Sequence, residues 1–290
     1  MPERRSTGMP GVDAQHDFMR ARRRATMARL AARLRGEPSD VGLILPYEEV
    51  VEALGFRAER YLGPRVVPLD AIVGTVDRGG QFDRRFRPRS GQLRSRWEQI
   101  DAAMRRGESM PPVDLLKIGE IYFVRDGHHR VSVARALGRT DIDAIVTEVE
   151  TAVSGSGPIT LDQLPFKSHE RVFYERVPLP APARAEIVLS DPWDYAKLAE
   201  GVEAWGFRLL QERGGELDRP ALAQLWLELE YRPVVAMLRD ADLIGPGGET
   251  EAYMRLSAER YRLLRTHQWD DETLARITKG TGRRRGPRRT

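Results

Sequence analysis

Apolar positions along the chain change period several times, and each change marks an element. From Asp13 to Arg35, Phe18, Ala25, Met27, Leu30 and Leu34 recur among arginines at helical spacing, and Gly36 follows as a stop. This predicts an amphipathic helix. Val50, Val51 and Leu54 predict a second, short helix over 46–54, ended by Gly55. Residues 65–74, RVVPLDAIVG, are rich in β-branched side chains and predict one strand, whose proline suits an edge or a strand start. The polar stretch 75–91 is read as a loop, either a plain surface connection or part of an active site.

Ser90 is placed to cap a helix to about Arg106, with Leu93, Trp97, Ile100 and Met104 on one face. The runs VDLLKI and EIYFVRD, joined at Gly119, predict an antiparallel hairpin with a type II′ turn. A short helix over 131–137 and a strand over 142–149 complete a mixed set of elements, so the expected fold class is α+β.

Beyond Glu150 the pattern lapses. TAVSGSGPIT reads as a linker, and Pro178, Pro180 and Pro182 favour an extended connector up to Leu189. Helical spacing returns at Ser190-Asp191-Pro192 with Tyr195, Leu198, Val202, Trp205 and Leu209. Further helices are expected from Asp218, with a kink or restart at Pro233, over about 249–266, and over 270–277. The expected organisation is a helical extension over 1–60, an α+β domain over 61–150, a linker over 151–189, a helical domain over 190–278 and a basic disordered tail over 279–290.

Composition narrows the chemistry. Cysteine is absent, which excludes disulfides, thiolate metal sites and cysteine nucleophiles. No apolar run approaches the roughly 20 residues that cross a bilayer, and the first residues lack a signal-peptide core, so a cytoplasmic protein without membrane contact is expected. Net charge is only +4, yet arginines gather near both ends: Arg20, Arg22, Arg23, Arg24, Arg29, Arg33 and Arg35, then Arg283 to Arg285, Arg288 and Arg289. Such ends suit a phosphate-rich partner such as DNA.

The segment that carries chemistry is Asp126-Gly127-His128-His129-Arg130. A strand delivers it to a tight turn, and the helix that follows aims its first N–H groups and its positive dipole end back at that turn, a ready anion site. Gly127 permits close approach, Arg130 offers a fork matched to phosphate oxygens, and His128 and His129 are further donors. The plain alternative is that Asp126 caps the helix and the other polar side chains satisfy one another. A metal site is less favoured, because neighbouring histidines diverge by about 100° on a helix and His16, His169 and His267 are remote in sequence.

Residues 111–138, PPVDLLKIGEIYFVRDGHHRVSVARALG, resemble the signature of the ParB/sulfiredoxin superfamily, and residues 65–78 resemble its opening strand and loop. The resemblance covers about a third of the chain and implies a bacterial-type nucleotide-binding domain. ParB proteins bind CTP with magnesium; Gly127 and Arg130 match their turn, whereas His128 and His129 replace its acidic residue and first arginine. Sulfiredoxin chemistry is ruled out because His128 occupies the place of the catalytic cysteine. The free-serine kinase branch, which uses ADP, agrees at Asp126, Gly127, His128 and Arg130 and departs at His129. The stretch 190–277 resembles a bacterial domain of unknown function.

Three functions follow as expectations. The first is a ParB-like nucleotide-binding switch or slow hydrolase, taking CTP, ATP or ADP with Mg2+ and holding phosphate with Gly127, His128, His129, Arg130, Thr75 and Arg78. The second is a phosphotransferase using Asp126, Asp77 or Asp83 as general base. The third is a DNA-associated regulatory or partition-type protein. No metal ligands can be assigned from the sequence, nor an oligomeric state.

Overall fold

The computed structural model describes residues 7–36, 44–77, 80–153 and 161–264, together with Trp269, Thr273 and Arg276. Arg78 and the basic tail lie outside the described residues, as does most of the helix expected over 270–277. The chain forms two compact units, Met1–Ser168 and His169–Thr290. It adopts an α+β fold in which a mixed unit is followed by a helical one.

The first unit opens with helix α1 (Pro10–Leu34), followed by strand β1 (Leu45–Pro46), helix α2 (Tyr47–Leu54), the long strand β2 (Phe56–Pro68) and strand β3 (Ile72–Thr75). Helix α3 (Arg94–Arg105) precedes the hairpin β4 (Val113–Ile118) and β5 (Ile121–Asp126), and helix α4 (His128–Leu137) leads into β6 (Asp141–Thr151). The sheet order is β1-β3-β5-β4-β6-β2. β1, β3 and β5 are parallel neighbours, whereas β4 pairs antiparallel with β5 and β2 antiparallel with β6. At the hairpin Gly119 takes φ +56° while Glu120 stays at negative φ, as the expected type II′ turn requires.

Alternation along the strands gives the sheet two covered faces. Val113, Leu115 and Val124 meet Val131 and Ala134 of α4 on one face, while Leu116, Ile118 and Phe123 meet Val50, Ala53 and Leu54 of α2 on the other. A third cluster joins α1, α3 and α4 through Phe18, Leu93, Trp97, Met104 and Val133. Trp97 Nε1 donates to Ser132 Oγ at 2.8 Å, tying α3 to α4.

Several sequence expectations are corrected. The single strand over 65–74 is two strands that part company: β2 runs along one edge and β3 joins the far side of the sheet. A 3-10 turn over Leu69–Ala71 separates them, and Arg135 of α4 fixes the crossing by donating to the carbonyls of Leu69 and, at 2.8 Å, Ile72. Residues 44–60 are built into the sheet and its α2 layer instead of forming a separate extension. The stretch read as a linker carries two helices, α5 (Leu164–Arg176), which runs across the division between the units, and α6 (Ala181–Arg184).

Helix α1 also departs from its expected face. Met27, Leu30 and Leu34 are exposed, and the buried stripe is Asp13, Ala14, Asp17, Phe18, Ala21 and Ala25. The two aspartates belong to a charge cluster with α3. Arg105 binds Asp17 and Asp101, the latter at 2.7 Å, with Asp13 at 4.0 Å. Burial works against the Arg105 charge, but the bonds to Asp101 and Asp17 more than offset it and raise its pKa.

In the second unit α7 (Pro192–Arg213) is capped by Asp191, which accepts from Trp193 N, and α8 (Arg219–Trp226) by Asp218, which accepts from Ala221 N. A π turn over Leu227–Tyr231 joins α8 to α9 (Arg232–Asp240), and α10 (Gly248–Leu264) follows. The π turn answers Pro233, which has no N–H and whose ring would strike the carbonyl of Leu229 in a regular helix. Trp226, Tyr231 and Tyr253 pack edge to face or tilted against one another. Tyr231 Oη donates to the carbonyl of Glu186 at 3.0 Å.

Candidate functional site

The carboxyl ends of the parallel strands β3 and β5 meet the start of α4. β3 ends at Thr75, whose neighbour in register on β5 is Val124, two residues before Asp126. Gly127 then turns the chain at φ +99° and serves as the N-cap of α4, a residue with no side chain of its own to cap the helix. A Cβ at Gly127 would lie 2.6 Å from Val113 Cγ1, so both conformation and space demand glycine.

The side chains around this turn do not all reach outward. His128 and His129 are 4% and 6% exposed, and both pack on Phe82, His128 stacked and His129 edge-on. Thr75 Oγ1 and His128 Nε2 share a buried hydrogen bond of 2.6 Å. Arg130 donates to the carbonyls of Pro111 and Pro112 at 2.5 and 2.7 Å and to Asp126 Oδ2 at 2.6 Å. Three of its five N–H groups are thereby used to clamp the strand to the turn.

The structure thus brings Thr75, Asp126, Gly127, His128, His129 and Arg130 into one neighbourhood. The other acids named from the sequence stand differently. Asp83 is buried and organises its own loop, accepting from Arg85 N, Arg87 N and Arg87 Nε at 3.0, 2.9 and 2.7 Å. Asp77 is exposed. Asp126 pairs with Arg130 instead of capping α4. Residues 80–91 of the stretch read as a loop are accordingly packed, pinned by buried Phe82 and Phe86 and by the bridge between Phe82 and Pro88.

A small cleft of about 20 Å³ opens at the turn, lined by Arg96, Ile100, Asp126, Gly127, His128, His129 and Arg130. It has room for about one water-sized group. Arg96 and Ile100 come from α3 and have no sequence signal linking them to the turn, because tertiary packing of α3 on α4, through Trp97, Ser132 and Val133, brings them there. Among the described residues no group of three or more histidines, cysteines or carboxylates is placed to hold a metal ion. None of the described helices is long and apolar enough to cross a membrane.

No protein-family model matches the chain, and no curated protein matches it. Among solved structures it is similar to the C2221 form of a Pnob8-like ParB-N domain, at 12% identity and a TM-score of 0.22, covering 78% of this chain and 84% of that one. At that score the likeness adds nothing to the geometry described above.

Proposed function

We propose that this chain is a ParB-like nucleotide-binding protein that receives a phosphate at the amino end of α4. The observation that carries the reading is the left-handed Gly127 opening a helix without a side-chain cap, beside a cleft whose rim includes Arg96. The helix dipole favours an anion there, and ligands of open sheets with parallel strands commonly lie beyond the strands' carboxyl ends. In this reading Arg130 shapes the turn through its bonds to Pro111, Pro112 and Asp126 and lends its charge, while Thr75 orients His128. Only part of one phosphate fits the cleft, so the remainder of a nucleotide lies outside it. Magnesium would arrive on the nucleotide phosphates, with Asp126 as the carboxylate at hand.

Isothermal titration of the full chain with CTP, ATP and ADP, each with magnesium, tests this. At least one should give a binding isotherm, weakened about tenfold by Arg96→Ala, which removes one charge-assisted hydrogen bond. No heat with any of the three overturns the proposal.

Phosphotransfer draws less support, since Asp83 is occupied by its loop and Asp126 by Arg130. Nucleic-acid contact is favoured as a second reading by one observation: Arg20, Arg22, Arg23, Arg24, Arg29, Arg33 and Arg35 all lie on or just beyond α1, and all are exposed.

A further inference from the structure

A second, roomier cavity is remote in sequence from the turn at Gly127. It lies within the second unit, between α7 and α10, with Glu230 of the π turn contributing to its wall, and its volume is about 600 Å³. That is within the range of small-molecule sites, roughly 300–1,000 Å³. Room exists because α7 presents Gly201 and Ala204 where a larger side chain would close the space; a Cβ at Gly201 would meet nothing within 4 Å. Trp205 and Tyr261 supply flat apolar surface.

Charge within the cavity is uneven. Lys197 is matched by Asp194 at 2.6 Å, and Glu251 accepts from Ser190 N at 2.9 Å. Around the π turn, Arg208 and Arg260 have Glu230 as the lining carboxylate near them. Arg260 is 3% exposed, yet its Nη1 lies 3.6 Å from Glu230 Oε1, beyond hydrogen-bond reach. Its Nε and Nη1 have no hydrogen-bond acceptor among the described residues. A buried guanidinium in this condition costs folding energy unless something else answers it. Its flat side is covered by Trp269, whose ring centroid is 4.2 Å from Cζ, and Trp269 Nε1 donates to Glu230 at 3.1 Å, which draws further on the one carboxylate.

We propose that this cavity binds a small flat apolar molecule carrying one acidic group, the acid set against Arg208 and Arg260 and the apolar body lying along Gly201, Ala204 and Trp205. An acid supplies a second counter-charge beside Glu230 for the two arginines, and the slot between the helices admits a ring system.

The test uses 8-anilinonaphthalene-1-sulfonate, an aromatic body with one acid, and N-phenyl-1-naphthylamine, the same body without it. Fluorescence titration of the full chain should show the sulfonate binding at one site, about tenfold more tightly than the neutral amine. Gly201→Phe, which fills the slot from an exposed helical position, should abolish that binding. Arg208→Met should weaken the sulfonate about tenfold and leave the amine unchanged. The proposal is overturned if the sulfonate does not bind, if Gly201→Phe leaves its binding intact, or if the neutral amine binds equally well.

Discussion

Gly127 shows how much a single residue decides here. Its φ of +99° and the closeness of Val113 leave no place for a side chain, so Gly127→Ala combines backbone strain with a clash. We expect it to destabilise the protein by about 2–3 kcal/mol, read as a lower urea midpoint at unchanged slope. A midpoint equal to wild type would show that the turn relaxes freely. The glycine was legible in the sequence because a strand ended just before it and a helix began just after. The partners of its neighbours were not. His128 and His129 read as donors for a ligand, but residues far off in sequence, Thr75 and Phe82, bury them. Arg130 read as a phosphate fork, but the carbonyls of Pro111 and Pro112 lie within its reach. Side-chain chemistry can be read locally; its commitments are set by tertiary contacts.

Among elements, those with a strong period were legible: the hairpin at Gly119, α3, although Ser90 caps the 3-10 turn Gly91–Leu93 that leads into it, and the start of α7 at Asp191. The strand over 65–74 was not, because its β-branched residues fit two strands as well as one, and Arg135 alone marks the crossing. In the helical unit the elements are fastened by buried tyrosines, and this has a pH signature. Burial pushes the Tyr231 phenol up to about 12, and also raises Tyr174, Tyr195 and Tyr253. Unfolding returns these groups to about 10. The unfolded chain therefore loses protons first, so the stabilisation is complete below about pH 10 and declines as pH rises towards the folded values. Ultraviolet titration should show five tyrosines, these four and Tyr47 of the first unit, whose phenol burial also raises, that ionise late in the native protein and together once it unfolds. Early ionisation of all eight would contradict the packing described for this unit.

At the scale of the whole molecule, the sequence pattern correctly indicated a mixed unit followed by a helical one, but read 151–189, within which the change falls, as a linker. The division falls at Ser168, because α5 begins inside a stretch whose apolar residues lack a sustained period. Charge was legible from the start. Arg23 and Arg29 of α1 stay exposed, since the helix buries its aspartates and small residues instead. If these arginines meet a phosphate backbone, affinity for duplex DNA should fall steeply with salt, and Arg23→Gln with Arg29→Gln should reduce the slope by about 0.9 for each phosphate no longer neutralised. Binding that is absent or independent of salt, measured by fluorescence anisotropy, excludes this role for α1.

The π turn at Leu227–Tyr231 amounts to one extra residue accommodated in a helix that does not break. It acts as a phase shifter. Without it, everything from Arg232 onward would rotate by about 100° against α8, carrying Val234, Val235 and Leu238 away from the core they now fill. The information that orients α9 is thus held in chain length as well as in residue type. Substitutions other than at Pro233 would pass over it, whereas deletion of a single exposed residue such as Leu229 would disclose it.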